Sequence, residues 1–123
     1  MVITGASSGI GKHAALALVE QGYDVFATVR KAEHFERLLS PIKNATLRNK
    51  MHPILLTHIS NVEEIEKVQQ QISSFMKESK LPFVGIINNA GIYTPLPLEF
   101  TPLDWLHEMF DTNVYGESFH IQI

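Results

Sequence analysis

Residues 4–11 read TGASSGIG, with three glycines in one turn between a β-branched run at 2–4 and a segment with apolar residues at helical spacing. Gly5 permits a sharp turn, Gly9 leaves room for an approaching ligand, and Gly11 lets a helix lie close to the strand. Main-chain N–H groups at the start of such a helix face an anion, and serine hydroxyls add donors. A plain tight turn with helix-capping serines is the alternative, but the position between strand and helix favours a diphosphate site. The predicted cofactor-binding residues of this turn are Gly5, Ser7, Ser8, Gly9, Ile10 and Gly11.

Beyond this turn, strand-like and helix-like segments alternate. The predicted order is a strand at 2–4, a helix at 9–21, a strand at 24–29, a helix at 32–40, a strand within 52–59, a helix after Asn61, a strand at 83–87 and a helix opened by Thr101 and Pro102. Asn61 and Glu64 form a predicted capping box, and the predicted buried stripe of that helix is Val62, Ile65, Val68, Ile72 and Phe75. The alternation predicts an α/β fold: a Rossmann-type doubly wound parallel sheet with helices on both faces, incomplete at about four strands. Ligands of such sheets lie beyond the carboxyl ends of the strands.

Composition and charge exclude several classes of function. The 123 residues suffice for one domain, with 45% hydrophobic and 19% charged residues as in ordinary globular proteins. A formal charge of −3 without a basic stripe argues against a nucleic-acid partner. With no cysteine and no histidines at ligand spacing, we predict no metal site. The N-terminus does not look like a signal peptide and no apolar run could span a bilayer, so we expect a cytoplasmic protein without a membrane partner.

Three motifs in order carry a family resemblance. TGASSGIG resembles the TGxxxGxG cofactor motif of the short-chain dehydrogenase/reductase (SDR) family, and NNAG at 88–91 resembles the motif that ends its fourth strand. TNVYG at 112–116 is similar to the segment around the family's catalytic asparagine, which would be Asn113. The resemblance covers essentially the whole chain. It implies hydride transfer between a nicotinamide cofactor and a carbonyl or alcohol substrate whose identity the sequence does not select.

The end of the second strand bears on the choice of cofactor. An acidic residue there accepts the ribose 2′-hydroxyl of NAD, whereas a basic residue suits the 2′-phosphate of NADP. This strand ends with Val29 followed directly by Arg30, which favours NADP over NAD, unless Arg30 is only a solvated loop charge. After the third strand, the resemblance leads one to expect an aspartate near the adenine. The matching pair is His58 and Ile59, so the adenine contact cannot be carried over unchanged, although an imidazole can bond or stack with adenine.

Two asparagine-bearing segments complete the predicted site. Short amides can satisfy main-chain groups where parallel strands end, and small residues leave room for a ribose, although a turn without a ligand explains the same pattern. By the resemblance, the predicted cofactor-binding residues here are Asn88, Asn89, Ala90 and Gly91. Asn113 shares a predicted inward helix face with Leu103, Leu106 and Phe110, as either a core amide or the catalytic asparagine of a proton relay.

Hydride transfer to a carbonyl produces an alkoxide, which an acid must protonate. The resemblance implies a tyrosine, a lysine four residues later, and a serine that polarises the substrate carbonyl. None of the three tyrosines has a lysine four residues later, and the tail FHIQI at 119–123 has no helix stop signal. We therefore expect one NAD(P)-binding Rossmann domain over 1–123, truncated before the fifth strand and the YxxxK segment and inactive alone.

Three hypotheses follow for function. The first is the cofactor half of an NADP(H)-dependent oxidoreductase. The second is a non-enzymatic nucleotide-binding or regulatory module that keeps the phosphate turn. The third is an interaction protein, such as a homo-oligomer through the last helix and an exposed fourth strand, since open apolar strand edges recruit other chains.

Overall fold

The computed structural model describes residues 1–118 and contains one parallel sheet of four strands in the order β3-β2-β1-β4. The strands are β1 (Val2–Ile3), β2 (Val25–Val29), β3 (Met51–Leu55) and β4 (Ile86–Ile87). In the centre of the sheet, Val2 pairs with Phe26 on one side and with Ile86 on the other. The predicted Rossmann-type parallel sheet of about four strands is confirmed. The tail residues 119–123, whose sequence suggested an interrupted helix, lie outside the described residues.

In the part of the chain that the structure describes, five α-helices connect and follow the strands. They are α1 (Gly9–Glu20), α2 (Phe35–Leu39), α3 (Ala45–Arg48), α4 (Val62–Ser79) and α5 (Leu103–Phe110). A 3₁₀ turn precedes α2, and the π-helical turn Asp111–Tyr115 continues α5. The sequence prediction missed α3, although Asn44 caps it by accepting hydrogen bonds from the main chain of Thr46 and Leu47. Of the described helices, none is long and apolar enough to cross a membrane.

Two apolar cores, one on each face of the sheet, explain why the strands read as nearly continuous apolar runs. One face packs against α1 and α2, and its buried residues are Ile3, Ala6, Ala15, Val19, Val25, Ala27, Val29, Leu38 and Met51. The other face packs against α4, and its buried residues are Val2, Phe26, Ile54, Leu56, Ile59, Val68 and Ile72. The sheet is therefore covered by helices on both faces, as predicted.

Several details of the prediction are wrong. Val62 is 66% exposed, so the buried stripe of α4 begins later. Glu64 does not complete a capping box: Asn61 accepts from the Glu64 main chain, but the Glu64 carboxylate binds the preceding loop. On α5, Leu103 is 63% and Phe110 49% exposed, so the predicted inward face is not buried. Helical spacing identifies residues that share a face, but burial also needs a surface that covers it, and the described residues provide none.

Candidate functional site

A cavity of about 610 Å³ lies beyond the carboxyl ends of the strands. We call it the strand-end cavity. Its lining includes most of the predicted site: Gly5, Ser7, Ser8, Gly9, Ile10, Gly11, Arg30, His58, Ile59, Asn89, Ala90 and Gly91. Of the predicted site residues, only Asn88 and Asn113 are outside this lining. The sequence prediction missed other lining residues, among them Thr28, Thr57, Ser60, Glu108, Asp111 and Thr112.

The glycine turn presents the start of α1 to the strand-end cavity. Gly5 and Gly9 have φ angles of +65° and +54°, a region that residues with a Cβ rarely adopt. Ser8 occupies the N-cap position of α1, but its hydroxyl makes no capping hydrogen bond. The helix also has no acidic side chain in its first turn. The first N–H groups of α1 are therefore not satisfied by a capping side chain and can receive an anion.

Close packing between the glycine turn and the end of β4 requires two of the glycines. A Cβ on Gly5 would lie 2.7 Å from the Ala90 Cα, which is closer than such atoms approach. A Cβ on Gly11 would collide with the side-chain amide of Asn89. The turn after β1 and the segment after β4 can therefore lie side by side at one end of the cavity.

Two buried threonines, which the sequence analysis did not single out, join these segments. The Oγ1 of Thr4 accepts hydrogen bonds from the main-chain N–H of both Asn89 and Ala90, each at 2.9 Å. The Asn89 amide donates back to the carbonyls of Thr4 and Gly5, at 3.0 and 3.2 Å. Thr28 accepts from the Gly5 N–H at 3.3 Å. In the sequence, the only sign of the role of Thr4 and Thr28 is that each is a hydroxyl residue near the end of an apolar strand.

Arg30 follows β2 directly and lies at the edge of the strand-end cavity. Its side chain is exposed and makes no ion pair within residues 1–118. The neighbouring Lys31 lies 4.0 Å from Glu33. The Arg30 guanidinium is thus available for a ligand anion, and its five N–H donors suit a phosphate.

The loop after β3 is held by Glu64, which belongs to the first turn of α4. Its Oε2 accepts from the main-chain N–H of Thr57 at 2.6 Å and of His58 at 3.2 Å, and its Oε1 lies 3.4 Å from the His58 Nδ1. Burial alone would raise the pKa of Glu64, but the hydrogen bonds from His58 and Thr57 outweigh it and lower the pKa below its ordinary value. Glu64 is therefore a carboxylate that fixes the main chain beside His58.

Asn113 lies in the π-helical turn and is exposed, so its predicted burial on an inward face is wrong. Its amide oxygen and its amide nitrogen nevertheless both bond to one residue. Oδ1 accepts from the Ile92 N–H and Nδ2 donates to the Ile92 carbonyl, both at 2.8 Å. This pair ties the turn after α5 to the segment that follows NNAG. Next to it, Gly116 is buried, and a Cβ there would collide with Ile59.

The comparisons with known proteins agree with this geometry. The family model described as short chain dehydrogenase matches residues 1–122. The chain belongs to this family. Among curated SDR relatives, it is 37% identical over 117 residues to 3-amino-tetrahydro-pyrrolizinone reductase of Xenorhabdus hominickii, covering 95% of this chain and 37% of the relative. It is 31% identical over 119 residues to the mitochondrial D-beta-hydroxybutyrate dehydrogenase of Rattus norvegicus, covering 94% and 33%. The chain thus spans about a third of the length of these SDR relatives.

Solved SDR structures show the same arrangement of strands and helices. A short chain dehydrogenase from Bacillus anthracis has a TM-score of 0.83 at 24% identity, which supports the fold, and the match covers 96% of this chain and 45% of that one. An ElxO variant with NADPH bound has a TM-score of 0.77 at 28% identity and the same two coverages. The expected family and its Rossmann-type fold are therefore confirmed.

Proposed function

We propose that this chain binds NADP(H) in the strand-end cavity and that the whole protein is an oxidoreductase that transfers a hydride between the nicotinamide and a carbonyl or alcohol. The observation that carries the proposal is one cavity with two features: a helix N-terminus without a side-chain cap at its glycine turn, and an arginine after β2 that makes no ion pair within residues 1–118. The first feature suits a diphosphate and the second a ribose 2′-phosphate. The membership of the SDR family supports the reaction class.

The residues around the glycine turn would hold the diphosphate. The first N–H groups of α1 would donate to its oxygens, and the hydroxyls of Ser7 and Ser8 would add donors. On the opposite wall of the cavity, the small residues Ala90 and Gly91 leave space for a ribose. This chain's contribution to the chemistry is to hold and orient the cofactor.

The preference for NADP over NAD depends on Arg30. No acidic residue ends β2, where the ribose of NAD would need an acceptor for its 2′-hydroxyl. A guanidinium can bind a 2′-phosphate through two parallel hydrogen bonds. The likeness to ElxO, solved with NADPH and with NADP bound, supports the same preference.

The proton-transfer step is proposed to need residues that these 123 do not supply, because no tyrosine here has a lysine four residues later. The proposed role of Asn113 is to position the segment after NNAG through its two hydrogen bonds to Ile92. We expect the isolated chain to bind dinucleotide without turning over carbonyl or alcohol substrates. Turnover by the purified chain would contradict this part of the proposal.

A homo-oligomer through α5 also remains a proposal. Its support is the apolar surface of that helix, where Leu103, Trp105 and Phe110 are each at least 46% exposed. Sedimentation of the purified chain over a concentration series tests it, since a monomer at every concentration would exclude self-association by this helix.

The cofactor assignment is tested with charge-reversal variants and two dinucleotides. Arg30→Asp should weaken NADPH binding about 10–150-fold, the equivalent of a charge-assisted hydrogen bond of ~1.5–3 kcal/mol, and change NADH binding about threefold at most. Lys31→Asp is the matched control because it makes the same charge change at the next residue, which lies near Glu33. Isothermal titration measures the affinity of each dinucleotide for the unmodified chain and for both variants. Equal losses of NADPH and NADH in Arg30→Asp would refute the assignment to NADP.

A further inference from the structure

Strand β3 forms one edge of the sheet, because within residues 1–118 its one neighbouring strand is β2. An edge strand presents a row of unpaired N–H and C=O groups, to which a strand of another chain can add. The sequence of β3 is MHPIL, which contains no acidic residue, lysine or arginine. Charged side chains within the strand therefore do not protect this edge, and Leu55 at its end is 47% exposed.

The hydrogen bonds between β2 and β3 show which main-chain groups face outward. At one end, the Val25 N–H donates to the Lys50 carbonyl at 2.8 Å. At the other end, the Leu56 N–H donates to the Val29 carbonyl at 2.9 Å. Because consecutive residues of a strand direct their main-chain groups to opposite sides, positions 50, 52, 54 and 56 face β2. The groups at positions 51, 53 and 55 therefore face the open edge.

Pro53 is the middle one of the three outward positions, and it has no N–H to offer. A strand that added to this edge would bring a carbonyl toward position 53 and find no donor, which would leave a buried acceptor unsatisfied. The pairing with β2 loses nothing, because position 53, which lies opposite Ala27 in the register, directs its main-chain groups away from β2. The proline thus interrupts the outward row of donors without interrupting the sheet.

We propose that Pro53 closes the β3 edge against a second copy of this chain. A second copy is the relevant partner because it would bring the same uncharged strand to the same edge, and the two strands could pair across a twofold axis. Without the proline, residues 51–56 would be an uncharged and largely apolar run of six residues, a pattern typical of segments that pair with copies of themselves. Closure of this edge does not depend on the proposed binding of NADP(H).

Amide hydrogen exchange of the unmodified chain tests whether the edge is open. The N–H groups of Met51 and Leu55 face outward and should exchange at least about tenfold faster than those of His52 and Ile54, which face β2. Equal protection of all four N–H groups would show that the edge is already covered, and this result would overturn the proposal.

Pro53→Val tests the role of the proline itself. Valine also has a three-carbon side chain, so the main change is that position 53 gains an outward N–H. Each copy can then donate one more hydrogen bond across the edge, and the dissociation constant of a dimer should fall by about tenfold or more. Pro41→Val is the matched control, because Pro41 is exposed in the turn after α2 and lies outside the sheet. Sedimentation equilibrium measures all three chains, and any association through α5 is common to them.

A second substitution shows that the association uses this edge. Adding Leu55→Lys to Pro53→Val places a charge on the edge and should return the dissociation constant to that of the unmodified chain. Circular dichroism establishes that each variant is folded, and Pro53→Thr, which restores the same N–H with a more polar side chain, replaces a valine variant that precipitates. A folded variant at position 53 that sediments like the unmodified chain would overturn the proposal, as would equal association of Pro41→Val.

Discussion

Replacing Thr4 with valine tests the hydrogen bonds that join the glycine turn to the segment after β4. Thr4 is fully buried, and its Oγ1 is the acceptor for the N–H groups of Asn89 and Ala90. Valine has nearly the same shape, so the packing is kept while both donors lose their acceptor. An unsatisfied buried donor costs ~1–3 kcal/mol. Because both donors belong to half-buried residues, we expect the free energy of unfolding to fall by about 2–4 kcal/mol.

Urea denaturation followed by circular dichroism measures this loss. With a slope of ~1–3 kcal/mol per molar for a small domain, the midpoint should fall by roughly 1–3 M. Thr28→Val is the matched control, because Thr28 is also buried but accepts only one N–H, from Gly5 at 3.3 Å. Its midpoint should fall by less than half as much. Equal midpoints for Thr4→Val and the unmodified chain, or a larger loss in Thr28→Val, would show that the two hydrogen bonds to Thr4 do not stabilise the fold.

Three further predictions concern other parts of the molecule. Gly5→Ala should lower the free energy of unfolding by ~1–3 kcal/mol, because φ is +65° and the new Cβ would meet Ala90. Gly85→Ala is the control: Gly85 is in open space without a positive φ, so its effect on thermal unfolding should be much smaller. Burial alone would raise the pKa of Asp24, but hydrogen bonds and charges from His52 and Lys50 lower it overall. The ionised Asp24 therefore stabilises the fold above about pH 4, and this contribution is lost as pH falls further. Denaturation midpoints of Asp24→Asn should therefore depend less on pH in that range; an unchanged acid limb would contradict the assignment. Asn113→Ala should speed amide hydrogen exchange at residue 92 roughly five- to tenfold, and unchanged exchange there would show that the hydrogen bonds contribute no protection.

The sheet could be predicted from the sequence because its signals are local. The glycine turn after β1, the apolar run of β2 and the Asn61 cap each depend on neighbouring residues, and the structure confirms the strand and helix that each implies. Parallel connections then leave few arrangements for the strands. Ligands of such sheets bind beyond the carboxyl ends of the strands, and the strand-end cavity lies there.

The parts that could not be predicted depend on contacts between residues distant in sequence. Thr4 and Asn89 are 85 residues apart, and nothing near either residue indicates their hydrogen bonds. Glu64 matches a capping box in sequence, but two main-chain N–H groups of the preceding loop compete for its carboxylate and bind it. The exposure of Phe110 similarly depends on what covers α5. The ligand roles of the lining residues remain predictions.

Amide chemical-shift changes during titration of the 123-residue chain with NADPH map the dinucleotide site directly. We expect saturable changes concentrated at 5–11, 28–30, 56–60, 89–92 and 108–112, the segments that line the strand-end cavity. We also expect little change along the exposed side of α4, none of whose residues lines that cavity. Saturable changes confined to other segments, or no saturable change at millimolar NADPH, would contradict the claim that this cavity is the dinucleotide site.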